Sequence, residues 1–111
     1  MYVPDRGHAV LMNINPRAGH DLVCPCSALV ISPSSYNVWT GFLLCCPIAS
    51  RIRGYPFEVR IEGNPLIFGA ALADQVKNLD WRVRGVKFVT AVDDCVLEEV
   101  VAKFETLLRS E

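Results

Sequence analysis

A chain of 111 residues, 51% hydrophobic and 21% charged, has room for one buried core rather than two, and its apolar content excludes intrinsic disorder. The net charge of -1 conceals an asymmetry: residues 93 to 111 carry six acidic side chains against two basic, and the rest of the chain nine basic against six acidic, a mildly basic body suited to phosphate contact or to simple solvation. No secretory leader and no bilayer-spanning apolar run is visible, so the expectation is a cytoplasmic protein, away from membranes, whose five cysteines act mainly as small hydrophobes rather than a disulfide framework.

Taken in chain order, Val10, Met12 and Ile14 recur at period two between His8 and Asn15, a strand broken by Asn15-Pro16-Arg17-Ala18-Gly19. Ser27 to Ile31 reads as a short buried strand stopped by Ser32-Pro33, and Ser34 to Gly41 as a polar turn or loop. Phe42 to Ile48 is a third apolar strand, halted by Pro47, whose nitrogen cannot donate to a ladder. Phe57, Val59 and Ile61 alternate with Glu58, Arg60 and Glu62, the pattern of a half-buried strand with the apolar set inward. Ala70 to Leu79 fits a strand or a short helix, and Val86 to Val89 another strand.

From Asp93 or Asp94 the period changes. Val96, Leu97, Val100, Val101, Phe104, Leu107 and Leu108 fall at three- and four-residue spacings, one apolar face of a helix of about four turns. Its acidic start and Arg109 near its end complement the helix dipole. Short strands followed by one amphipathic helix imply a small, strongly bent antiparallel sheet or barrel capped by a helix.

A series of short motifs lies on this frame: Tyr2-Val3-Pro4-Asp5-Arg6-Gly7, Asn15-Pro16 with Ala18-Gly19-His20, Leu29-Val30-Ile31-Ser32-Pro33, Tyr36-Asn37, Thr40-Gly41 and Cys46-Pro47-Ile48. Gly54-Tyr55-Pro56-Phe57-Glu58-Val59, Ala73-Asp74-Gln75-Val76-Lys77 and Asp80-Trp81-Arg82-Val83-Arg84-Gly85 complete it. Through them the chain resembles the MazF/PemK toxins, collinearly from Tyr2 to about Gly85. The resemblance implies one domain over residues 1–111, mainly β with α: an SH3-like antiparallel barrel with an amphipathic C-terminal helix. It also implies the toxin of a type II toxin-antitoxin system, a homodimeric, sequence-specific endoribonuclease that cuts single-stranded mRNA without metal or cofactor. Its partner would be a cognate MazE-like antitoxin whose acidic tail competes with RNA for the same cations.

Metal-free RNA cleavage needs a base for the ribose 2'-hydroxyl, an acid for the leaving 5' oxygen, and a donor for charge growing on phosphorus. The family resembled draws these from a Glu-Gln-x-Gly-x-Arg-Pro loop before the second strand and from the Thr of a Cys-Pro-x-Thr-Ser turn after the third. Counting back without a gap from Ser32-Pro33, Cys26 stands for the Arg; Ala49 stands for the Thr. A thiol does not replace a guanidinium as phosphate clamp. The remaining catalytic candidates are Asp21 at the family's acidic position, His20 and Ser50, with Arg51, Arg53, Lys77, Arg82 and Arg84 for RNA phosphate.

Each has a plain alternative: His20 a solvated loop residue, Asp21 and Ser50 turn formers, the basic residues a solvated face. Three readings stay open. Neighbouring groups compensate, with Arg51 or Arg53 reaching the phosphate; or the chain is a catalytically degenerate toxin-like module that binds RNA or antitoxin without cutting; or it departs from an active parent between Cys24 and Ser27. Cys24 and Cys26 lack a second ligand pair for zinc. Cys45 and Cys46 should point to opposite faces of a strand. Trp81 reads as packing, and Trp39 as the better stacking residue.

Overall fold

The computed structural model describes residues 1–15, 22 and 25–109; His20, Asp21 and Cys24 lie outside them. The elements are β1 (His8–Met12), β2 (Cys26–Val30), α1 (Ser34–Thr40), β3 (Phe42–Ala49), β4 (Glu58–Ile61), β5 (Gly69–Leu72), β6 (Lys77–Asp80), a 3-10 turn (Trp81–Val83), β7 (Lys87–Ala91) and α2 (Asp94–Arg109). The strands pair antiparallel in the order β4-β5-β3-β2-β1-β7, with β6 on β3 as well.

β3 is the axis of this sheet. One of its edges runs along β2; the other is shared, Phe42–Cys45 pairing with β6 and Ile48 and Ala49 with β5. Two partners on one edge let the sheet diverge and coil into a barrel-like layer. Alternate residues of β3 therefore enter different cores. Cys46 and Ile48 join Leu29, Val59 and Ala71 beneath Val96 and Val100 of α2, while Cys45 and Leu43 join Val10, Met12, Val30 and Trp81. The adjacent cysteines face opposite ways, as expected, and burial pushes the Cys45 thiol up to about 11 and the Cys46 thiol up to about 12. Both are inert fillers at neutral pH. Cys26 and Cys95 are instead exposed, contrary to their expected role as small hydrophobes.

Four other expectations change. Residues 34–40 form helix α1 rather than a loop, closed by Gly41 in the left-handed region at φ 77, whose N–H donates to the Asn37 carbonyl. No apolar period announces this helix because its buried residue is polar: Asn37. Its Nδ2 donates to the carbonyls of Pro4 at 2.8 Å and Ser32 at 3.1 Å, its Oδ1 accepts from Ser32 Oγ at 2.6 Å, and its carbonyl accepts from Trp81 Nε1 at 2.8 Å. This buried hub ties the N-terminal segment, the end of β2, α1 and the 3-10 turn together.

β3 also runs through Pro47 to Ala49. Pro47 pairs with Ala28 on one edge, but on the other it sits where the shared edge passes from β6 to β5 and has no partner among the described pairings, a place where a residue without N–H is tolerated. Ala70 to Leu79 resolves into two strands, β5 and β6, joined by a turn. Finally, α2 buries Val96 and Val100 but leaves Val101, Leu107 and Leu108 exposed, Leu108 at 69%. Sixteen helical residues span about 24 Å, longer than the four- or five-residue strands beneath.

Candidate nucleic-acid interface

The β1-β2-β3-β6 face places the residues of interest side by side. Met12 pairs with Cys26, Ala28 with Pro47, and Cys45 with Lys77. Cys26 lies two residues before Ala28 on β2, and Ala49 two residues after Pro47 on β3, so the two substituted positions, 23 residues apart in sequence, lie at the same end of the β2–β3 pair. A recess beside it is lined by Ile14, Cys26, Ser27, Cys45, Pro47 and Lys77. Lys77 is exposed, makes no ion pair among the described residues, and places its charge close enough to Cys45 to oppose, without overcoming, the effect of burial on that thiol.

The other cations are held differently. Arg84 sends Nη1 to the carbonyls of Asn13 at 3.3 Å and of Ile14, clamping the chain where it leaves β1. Arg82 donates from Nη2 to the Val38 carbonyl and lies 5.3 Å from the centre of the Trp81 ring. Both guanidiniums spend donors on the scaffold, whereas Arg51 and Arg53 are exposed on the loop after β3, beside exposed Ser50. Trp81 is buried and Trp39 is 85% exposed.

That loop is anchored by a residue expected to face water. Glu58 is only 8% exposed, and its carboxylate accepts backbone N–H groups of Arg53 at 2.9 Å and Gly54 at 2.6 Å. The Arg53 N–H is the largest cause holding its carboxyl below the ordinary 4.5. Alternation alone put Phe57 inward; it is half-buried, because two orphan amides draw Glu58 in instead. Tyr55 donates its hydroxyl to Asp74 Oδ1 at 2.8 Å, and Lys103 Nζ donates to the carbonyls of Pro56 at 2.7 Å and Glu58 at 3.0 Å. The Gly54–Val59 and Ala73–Lys77 motifs meet at the Tyr55–Asp74 bond. Sequence reading missed the anchoring role of Glu58; two basic residues and a glycine shortly before a lone strand acid was its only signal.

Among the described residues, no three His, Cys, Asp or Glu side chains gather in a way that could hold a metal ion, and no helix is long and apolar enough to cross a membrane. His20 and Asp21 lie outside the described residues.

Residues 5–108 match the family described as PemK-like, MazF-like toxin of type II toxin-antitoxin system, and the chain belongs to that family. It is 39% identical over 107 residues to the Endoribonuclease toxin MazF of Escherichia coli K12, covering 96% of each chain, and 27% identical over 108 residues to the Escherichia coli Endoribonuclease PemK, covering 94% of this chain and 81% of that one. The solved MazE-MazF (Form-II) from Deinococcus radiodurans contains a chain with 39% identity, a TM-score of 0.87 and complete coverage of both chains. The coiled antiparallel sheet with its C-terminal helix is the fold of these toxins, and the match extends through α2, beyond the Gly85 at which the sequence motifs stop.

Proposed function

We propose that this toxin is a single-domain, cytoplasmic, homodimeric endoribonuclease that cuts single-stranded mRNA at a short sequence without a metal, and that a cognate MazE-like antitoxin with an acidic tail blocks it. The observation that carries the reading is the recess that Cys26 and Lys77 line together with Pro47, two residues before Ala49 on β3, where Lys77 makes no ion pair among the described residues. Lys77, reaching the recess from β6, supplies a positive charge there without a residue of β2.

In the reaction, the ribose 2' oxygen loses its proton to a base and bonds to phosphorus, and the bond from phosphorus to the 5' oxygen breaks as an acid protonates that oxygen. His20 and Asp21 exchange these protons, Ser50 donates a hydrogen bond to phosphate, and Lys77 offsets the charge growing on the phosphorane. Arg51 and Arg53 hold flanking phosphates, while Arg82 and Arg84 add to the field of the groove from clamped positions. With no guanidinium at residue 26 and no hydroxyl at residue 49, cleavage is slow, on the order of 100-fold or more below a site that keeps one such donor.

The purified protein at high excess, given a long single-stranded RNA with and without EDTA, should produce defined fragments in both. Intact RNA in both arms would overturn cleavage and leave only the binding module, a reading that the similarity to endoribonucleases does not favour. Fragments only without EDTA would overturn metal independence.

A further inference from the structure

We propose that Phe68, next to the point where Gly69 abuts Ala49 and Ser50, forms with the exposed Arg51 a stacking platform for an unpaired RNA base; the proposal rests on the RNA-cleaving reading above. In the β3–β5 ladder Ile48 pairs with Ala71 and Ala49 with Ala70. Ile48 and Ala71 both lie in the core under α2, so alternation turns Ala49 and Ala70 toward the opposite face.

The two strands are pressed together at Gly69. A Cβ there would stand 2.0 Å from the Ala49 carbonyl oxygen and 3.1 Å from the Ser50 Cα, and the glycine takes φ 127, so only glycine permits this approach. The ladder ends at Ala49–Ala70; Phe68 directly precedes Gly69, and Arg51 directly follows Ser50, the two residues brought together by that approach. Burial follows the same alternation: Ile67 is 8% exposed and belongs to the core, while Phe68 is 71% exposed. Leu66, 64% exposed, extends the apolar surface.

The chemistry around the ring selects its occupant. Arg51 and Arg53 are exposed and make no ion pair among the described residues, so a ring and two cations stand at the end of the cleavage face. A base offers a π-face to the ring and the adjoining phosphate an anion to the arginines, the combination by which single-stranded nucleic acid is held without base-edge readout. The platform therefore sets how firmly the nucleotide next to the cut is held, rather than taking part in the proton transfers.

The test is fluorescence anisotropy of a labelled, mixed-sequence 2'-O-methyl RNA 10-mer, which lacks the attacking hydroxyl and stays uncut. Phe68→Ala should weaken binding by roughly 10-fold, Phe68→Trp should retain it, and Phe68→Leu should behave as the alanine variant, all with unchanged thermal melting because the side chain is exposed. Wild-type affinity in Phe68→Ala while Lys77→Ala binds more weakly overturns the proposal and spares the RNA reading. Wild-type affinity in Phe68→Leu overturns it in favour of plain apolar contact. Unchanged RNA binding with loss of dimer in sedimentation, or of binding to an acidic peptide, overturns it in favour of a protein contact. Absence of RNA binding by the wild-type chain itself removes both readings.

Discussion

The Asn37 hub and the Cys26–Ala49 face lie on the same sheet and obey opposite rules. At the hub, Pro4, Ser32, Asn37, Gly41 and Trp81 each belong to a motif that the chain shares with the toxins, and each gives or takes a hydrogen bond out of water's reach. Changing one member strands its partner, which is costly in a buried setting. At the face, Cys26 is exposed and Ala49 only half-buried, and Lys77 is free of ion pairs among the described residues. Substitution there leaves no orphaned donor and no cavity, so the fold does not register it. Residues that certify the family hold the scaffold, and residues at the proposed site can change without disturbing it.

Breaking the hub should have the largest effect. Asn37→Ala removes three side-chain hydrogen bonds and is expected to cost about 3 kcal/mol, a fall in Tm on the order of 10 °C, measured by thermal melting; a drop within experimental error would erase the distinction between the two regions. Next, Cys26→Arg combined with Ala49→Thr should raise the single-turnover cleavage rate on the order of 100-fold with little change in Tm. A double variant no faster than its parent would mean that the substituted positions do not limit the rate.

A smaller change is expected from Lys77→Ala: RNA affinity about 10-fold weaker at 0.1 M salt, and a log affinity against log salt slope shallower by about 0.7, at unchanged stability. Loss of stability instead would move Lys77 into the scaffold. The smallest effect concerns pH. The folded carboxyl of Glu58 lies below its ordinary 4.5, so its contribution is in full force above that value and is lost as pH falls through the folded value. Glu58→Gln should therefore lower Tm slightly at pH 7 and lower it less at pH 3, so that the melting temperatures of the two proteins converge in acid; a constant gap would show that the carboxylate does not anchor the loop through its charge.

Legibility in the sequence followed apolar periodicity. The alternating run before Met12, the apolar runs of β2 and β3 and the 3.6-residue period of α2 all mark real elements, because each buries apolar side chains, the strands toward two cores and α2 along one face. Where a polar group is what the fold buries, pattern failed. Asn37 hid a helix and Glu58 inverted the end of a strand, since a hydrogen-bonded amide or carboxylate inside looks in sequence like a solvated one. The site divided the same way: Cys26 and Ala49 were found by counting from motifs, but nothing in a separation of 23 residues says that they lie at the same end of one strand pair.

By itself the sequence determined the family, the order of short strands before a terminal helix, and the identity of the two missing side chains, because these are properties of local order and of composition at named positions. Only the tertiary structure decided that both substitutions fall at one end of the β2–β3 pair, that Lys77 lines the recess at Cys26 while Arg82 and Arg84 are spent on the scaffold, and that Gly69 presses β5 onto β3 with Phe68 outside. Those are matters of register and of hydrogen bonds between residues distant in the chain, which are fixed only when the sheet closes on itself.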